Sequence, residues 1–122
     1  MIATAADLLA RLPGKVTALW PDGDRFAAAL AHGSMSVEVY APRGADPQTP
    51  HDQDELYFPL SGTATLRIGE DVFTAGPGTV HFVPAGVDHR FERFSADFAT
   101  WVVFWGPKGG EKGARCIHNY MA

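Results

Sequence analysis

The sequence predicts an all-β domain, a sandwich or barrel of short strands, with one short helix at its N-terminus. The chain has 13 glycines and 9 prolines among its 122 residues, well above an average usage of about 12% for the two together. This excess indicates many tight turns. Short runs in which apolar and polar residues alternate lie between these turn signals, as in half-buried strands. The length suits one domain, because two would need roughly 200 residues.

The N-terminal segment predicts a helix followed by a first strand. The helix is expected over Ala5 to Leu12, because Thr4 is a suitable N-cap and Asp7 would lie at the positive end of the helix dipole. A Pro-Gly pair then ends it. Lys15 to Trp20 alternates between apolar and polar residues and predicts a strand. We assign residues 1–24 to an N-terminal helix and arm.

Alternation and turn residues predict eight further strands in the rest of the chain. The first of them is Ala-rich and fits a strand or a helix, and we assign a strand because Gly33 and another alternating run follow it directly. We assign residues 25–106 to the barrel and residues 107–122 to a C-terminal tail, in which residues 114–122 could dock on the barrel. The predicted strands are Arg25–His32, Ser34–Tyr40, Glu55–Leu60, Thr63–Ile68, Val72–Ala75, Thr79–Val83, His89–Phe94 and Phe98–Trp105.

Composition and charge limit the partners and the location of the protein. The net charge is -4, from 10 basic and 14 acidic residues, and no basic run is present. This argues against binding to nucleic-acid phosphates or to an anionic membrane surface. The start of the chain lacks the basic residues of a signal peptide, and the single cysteine, Cys116, fits a reducing compartment. We expect a cytoplasmic protein with a small-molecule ligand and no nucleic-acid or membrane partner.

Three residues with metal-binding side chains lie at the ends of predicted strands: His51, Glu55 and His89. Imidazole and carboxylate together suit Fe, Zn, Ni or Mn rather than Ca or Mg, and two histidines with one carboxylate form the facial arrangement of non-haem iron sites. A loop histidine is more commonly solvated or hydrogen-bonded to its neighbours. His51 and His89 are also far apart in the sequence, so only the fold can bring them together.

The spacing around His89 resembles the second sequence motif of the cupin superfamily. The pattern Gly78-x5-Pro84-x-Gly86-x2-His89 has all four residues of that motif at the family's intervals. The resemblance runs from about Pro47 to Phe94. It implies a small single-domain cupin with a jelly-roll β-barrel.

The segment around Glu55 resembles most of the first cupin motif. Glu55-x6-Gly62, with His51 four residues before the glutamate, matches the second histidine, the glutamate and the glycine of that motif. The family's first histidine falls on Thr49, which is a departure. Taking His51 as the first histidine instead would put Gln53 in the second place, with too few residues before Glu55 for the family's turn.

The resemblance implies a divalent transition metal (Fe, Zn, Ni or Mn) inside the barrel. Carried over residue by residue, its ligands are His51, Glu55 and His89. The resemblance also implies a homodimer to which the N-terminal arm contributes. The candidate pocket-lining residues are Thr49, Gln53, Tyr57 and His81.

Two functions of different classes remain open. The first is an enzyme that uses the metal to act on a small polar organic molecule, as an oxygenase, isomerase or decarboxylase. The second is a non-catalytic small-molecule-binding or sensor cupin that has lost its metal, with Thr49 marking the lost ligand. In that case Glu55 and the two histidines would form a buried hydrogen-bond network. The fold does not choose between them, and the sequence identifies no catalytic residue.

Overall fold

Two antiparallel sheets build the protein in the computed structural model, which describes residues 1–113. The larger sheet has five strands in the order β1-β2-β8-β3-β6, and the smaller has three in the order β5-β4-β7. The elements within the described residues are α1 (Ala5–Leu9), β1 (Phe26–His32), β2 (Met35–Tyr40), β3 (Asp54–Ser61), β4 (Ala64–Ile68), β5 (Asp71–Ala75), β6 (His81–Val83), β7 (His89–Phe94) and β8 (Ala99–Trp105).

The chain crosses between the two sheets, as expected for a jelly-roll barrel. β3 belongs to the larger sheet, β4 and β5 to the smaller one, and β6 returns to the edge of the larger sheet beside β3. β7 then pairs with β4, and β8 lies between β2 and β3. Such crossovers are typical of Greek-key barrels. The prediction of an all-β jelly-roll barrel with a short N-terminal helix is confirmed.

The core lies between the two sheets and consists largely of aromatic side chains. Tyr57 of β3 is fully buried, and its ring centroid is 4.8 Å from that of Phe91 on β7. Phe91 lies 4.8 Å from Phe98 in turn. Burying one such side chain stabilises the fold by roughly 1.5–3 kcal/mol. Because Tyr57 also lies 6.2 Å from the His89 ring, this core supports the base of the candidate site.

The N-terminal helix is shorter than the sequence predicted. The Thr4 side chain caps it by accepting a hydrogen bond from the backbone N–H of Asp7 at 3.2 Å, but α1 ends at Leu9 rather than Leu12. The backbone N–H groups of Arg11 and Leu12 bond three residues back instead of four. The last turn therefore tightens out of α-helical geometry.

The predicted strand over Lys15–Trp20 is wrong. This segment closes on itself, because the Lys15 carbonyl accepts from the N–H of Asp24 at 2.8 Å and the N–H of Trp20 donates to the Thr17 carbonyl at 3.1 Å. No neighbouring strand pairs with it among the described residues. Val16 stays 64% exposed, whereas Trp20 packs against the core cluster.

The strands predicted from Arg25 onward form, with their ends shifted by one or two residues. β6 begins at His81 rather than Thr79, because the Thr79 hydroxyl donates to the Gly76 carbonyl at 2.7 Å and closes the preceding turn. Residues 114–122, for which the sequence leaves docking on the barrel open, lie outside the described residues, and so does Cys116. No helix within residues 1–113 is long and apolar enough to span a bilayer.

Gly62, which follows β3, is expected to tolerate no side chain. Its φ is +67°, and a Cβ would lie 2.8 Å from the backbone Cα of Phe98. We expect Gly62→Ala to lower the free energy of unfolding by about 3 kcal/mol, from left-handed strain plus overpacking. Gly33 is the matched control, since its φ is +57° and no atom of residues 1–113 beyond its chain neighbours would lie within 4 Å of an added Cβ. Gly33→Ala should cost about 1 kcal/mol. Equal losses in urea denaturation would contradict this.

Candidate metal centre and cavity

The fold brings the His51 loop and the start of β7 together through backbone hydrogen bonds. The N–H of Gly86 donates to the His51 carbonyl at 2.7 Å, and Glu55 pairs with Val83 across β3 and β6. The chain then enters β7 at His89. These pairings place residues from both sequence motifs at one end of the barrel.

His51, Glu55 and His89 form one cluster, in which one ligand atom from each residue lies within 4.8 Å of the others. The Glu55 Oε1 is 3.1 Å from the His89 Nε2, and the Glu55 Oε2 is 4.0 Å from the His51 Nε2. Glu55 and His89 are each 1% exposed. The structure thus brings together the three residues that the sequence motifs predicted as ligands.

Two buried polar atoms of this cluster have no hydrogen-bond partner among the described residues: the Glu55 Oε1 and the His89 Nε2. Their 3.1 Å separation would allow a hydrogen bond only if the His89 Nε2 carried a proton. The other ring nitrogen of His89, Nδ1, lies 2.9 Å from the Val87 carbonyl. That contact assigns the proton to Nδ1 and leaves the Nε2 lone pair facing Glu55, which is the usual tautomer of a histidine ligand.

Burial lowers the pKa of both His51 and His89, and the negative charge of Glu55 raises it. Burial lowers the pKa of His51, and the Glu55 carboxylate only partly opposes this. For His89, burial also disfavours the charged ring, but Glu55 and the Val87 carbonyl outweigh it and raise the pKa. The Glu55 carboxylate therefore attracts positive charge at this point of the barrel, from a proton on His89 or from a cation.

The residues present fit a divalent transition metal. Two ligand atoms bound at about 2.1 Å to one ion are at most about 4.2 Å apart, and the two distances to Glu55, one from each of its oxygens, lie within that limit. The cluster as a whole spans up to 4.8 Å, so a small side-chain movement would bring all three ligand atoms onto one ion. The His51 side chain is 33% exposed, whereas Glu55 is 1% exposed. His51 is therefore the ligand with room to adjust. Three protein ligands would leave coordination positions open, as in catalytic sites.

Asp46 organises the surroundings of the cluster, although no sequence pattern identified it. It is 4% exposed, and its carboxylate accepts hydrogen bonds from the Tyr40 hydroxyl, the Phe91 N–H and the Gln48 Nε2. This fixes the Gln48 amide so that its Oε1 lies 3.2 Å from the His51 Nε2. Asp46 lies in a proline-containing loop, where periodicity carries no information about its partners.

Asp54, next to Glu55, ties the site to two other segments. Its carboxylate accepts from the N–H of Ala85 at 3.0 Å and from the N–H of Glu111 at 2.7 Å. Asp54 is 4% exposed. It therefore holds the turn before β7 and the segment after β8 against the first residues of β3.

A cavity of about 260 Å³ opens beside the cluster. It is smaller than the roughly 300–1,000 Å³ of sites for drug-sized ligands. The N-terminal arm, β1, β2, β8 and the loop before β3 all contribute to its wall. The lining residues are Leu19, Trp20, Phe26, Glu38, Tyr40, Gln48, Thr49, His51, Glu55, Val102 and Phe104.

Of the four candidate pocket-lining residues, Thr49 alone lines this cavity. The Gln53 Nε2 donates to the carbonyls of Ser34 and Gly106, and its side chain does not line the cavity. Tyr57 lies in the core beneath the cluster, and His81 contacts the Thr79 hydroxyl at 2.8 Å.

Comparison with known proteins agrees with this architecture. The cupin domain family matches residues 36–105. An uncharacterised protein of Streptomyces coelicolor is 42% identical over 81 residues, covering 65% of this chain and 77% of that protein.

Solved structures show the same fold. A cupin 2 conserved barrel domain protein from Salinispora arenicola superposes with a TM-score of 0.58 at 17% identity, covering 67% of this chain and 75% of that one. A structure of DMSP lyases gives a TM-score of 0.56 at 23% identity, covering 68% and 47%. At these identities the structures bear on the fold alone. Because the family match spans more than half of the sequence, the chain belongs to the cupin family.

Proposed function

We propose that the protein binds one divalent transition metal (Fe, Zn, Ni or Mn) through His51, Glu55 and His89 and acts on a small polar organic molecule in the adjoining cavity. The observation that carries the proposal is the pair of buried, unpartnered atoms, the Glu55 Oε1 and the His89 Nε2. Leaving such atoms buried without a partner costs roughly 1–3 kcal/mol each. A cation between them would remove that cost.

Each residue of the site has a separate role in this proposal. When bound, such a metal supplies Lewis-acid or redox chemistry. The Val87 carbonyl orients His89, and Glu55 provides the compensating negative charge. His51 lies nearer solvent, and Thr49 on the cavity wall offers a hydroxyl to the substrate or to water. The small volume limits the substrate to a compact molecule, and the reaction is of the oxygenase, isomerase or decarboxylase type.

A second candidate is a non-catalytic binding or sensor cupin. Thr49 favours it, because it stands where the family's first histidine falls, and losing one ligand weakens a metal site. In this alternative the cavity holds its ligand without turnover, and the charge of Glu55 is balanced by protonation of His89, whose pKa is raised.

We also propose that the protein is a cytoplasmic homodimer. Apolar side chains remain exposed, with Phe58 of β3 at 40% and Val72 of β5 at 52%. Pairing with a second copy would cover such residues and protect the sheet edges. Light scattering distinguishes a dimer from a 13.1 kDa monomer.

Metal content and turnover test the proposal together. Untagged protein, reconstituted separately with Fe²⁺, Zn²⁺, Ni²⁺ and Mn²⁺ and then desalted, should retain about one ion per chain of at least one of these metals. His51→Ala should lose it, while His32→Ala, on an exposed histidine outside the cluster, should not. Dioxygen uptake and isomerase or decarboxylase screens of the loaded protein then separate an enzyme from a binding protein. Absence of metal from every sample would overturn the metal-dependent proposal and leave the binding cupin.

A further inference from the structure

The inner wall of the cavity carries aromatic rings set at steep angles to one another. The Trp20 ring lies 6.2 Å from Phe26 with an interplanar angle of 75°, and 6.0 Å from Tyr40 with an angle of 78°. All three residues line the cavity. Rings that line one cavity attract a cation that lies over one of their π-faces, which is how aromatic side chains recognise ammonium groups.

The same wall carries a carboxyl group with no positive partner. Glu38 of β2 lines the cavity, and none of the eleven lining residues is a lysine or arginine. None of the ion pairs within residues 1–113 involves Glu38. Burial, followed by the negative charges of Glu55 and Asp24, raises the pKa of Glu38 to about 7. Residues 1–113 therefore supply no cation that pairs with this group.

The charges of Glu38 and Glu55 have different uses in the proposed function. Glu55 faces His51 and His89 and would compensate a bound metal, whereas Glu38 would remain free for the ligand. Where Glu38 is ionised it repels anionic ligands, whereas beside an uncharged ligand it can take up a proton. An organic cation would be attracted both by the Glu38 carboxylate and by the aromatic rings, and would therefore bind more tightly.

We propose that the ligand of this cavity is a small molecule with an ammonium group, held by Glu38 and the rings of Trp20, Phe26 and Tyr40. Its oxygen-bearing end would face His51, Glu55 and His89. This inference rests on the proposed function, because it takes the cavity beside the metal cluster as the ligand site. It adds the chemical class of the ligand.

Choline and its uncharged isostere 3,3-dimethylbutan-1-ol test the proposal as a matched pair of probes. Calorimetric titration of the metal-reconstituted full chain should show choline binding at least about tenfold more tightly than the isostere. Glu38→Gln keeps the shape of the side chain and removes its charge, so it should abolish most of this preference. Glu70→Gln, which removes a charge from the exposed β4–β5 turn, should leave it unchanged.

The outcomes separate this inference from the metal proposal, because metal content is measured on the same samples. Equal affinity for the two probes, no detectable binding of choline, or a preference that persists in Glu38→Gln would overturn the ammonium ligand. One ion per chain in those samples would leave the metal proposal standing. Choline binding that depends on Glu38 without any retained metal would support this inference and contradict the metal site.

Discussion

Replacing Glu55 by alanine is expected to remove the stabilisation that a bound metal gives the folded protein. A ligand that binds only the folded state at a hundred times its Kd stabilises it by about 2.7 kcal/mol. Glu55 supplies the only carboxylate of the cluster and is 1% exposed, so no other acidic side chain in the cluster can replace it. The free energy of unfolding should therefore differ between Zn²⁺ and chelator for the wild type, and not for Glu55→Ala.

The difference between metal and chelator is the informative quantity, because the substitution also alters the metal-free protein. Removing one partner of the buried Glu55–His89 pair costs stability by itself, and this direct cost cancels when each variant is its own reference. His81→Ala is the control, since His81 lies outside the cluster. A full Zn²⁺ effect in Glu55→Ala, or its loss in His81→Ala, would contradict the assignment.

Asp46→Ala is expected to cause a large loss of stability, although it removes a single polar side chain. The change leaves four donors without their acceptor: the Tyr40 hydroxyl, the Phe91 N–H, and both the side-chain Nε2 and the backbone N–H of Gln48. Burial and the Asp46 carboxylate raise the pKa of Tyr40, so the phenol stays protonated and would lose its acceptor. We expect a loss of about 3–5 kcal/mol in urea denaturation, since hydrogen bonds to charged groups contribute roughly 1.5–3 kcal/mol each and are not additive.

Glu92→Ala provides the comparison for Asp46→Ala. Glu92 pairs with Arg67 on the surface, where the two side chains are 37% and 44% exposed. Such exposed pairs contribute roughly 0–1 kcal/mol. If Asp46→Ala cost no more than Glu92→Ala, the buried network around Asp46 would not be a main source of stability in this barrel.

The order and type of the strands could be predicted because each obeys a local rule. Alternation and turn residues indicate β2 to β8 without knowledge of tertiary contacts, whereas β1 is Ala-rich and its assignment depends on the alternating run after Gly33. Lys15–Trp20 shows where the rule fails. Its alternation is real, but its backbone pairs with Asp24 and its tryptophan turns into the cavity. Alternation alone does not tell whether a partner strand exists.

The ligand triad could be predicted for a different reason. His51, Glu55 and His89 keep the spacing of the family's motifs, and spacing implies a shared geometry once the family is known. Asp46 and Glu38 carry no comparable signal. Alternation along β2 places Val39 on one face and Glu38 and Tyr40 on the other. Both faces are covered, since Val39 packs with helix α1 and Tyr40 belongs to the core of the barrel. Which face lines a cavity is decided by packing between distant segments.

X-ray absorption at the edge of the bound metal tests the central claim most directly, because it counts the imidazole ligands. With Zn²⁺ or Ni²⁺ bound to the full chain, we predict two imidazole ligands per ion in the wild type. If His89→Ala still binds the ion, that ion should have one imidazole ligand. His81→Ala should match the wild type. An imidazole count unchanged by His89→Ala, or a site without imidazole in the wild type, would contradict a centre built from His51, Glu55 and His89.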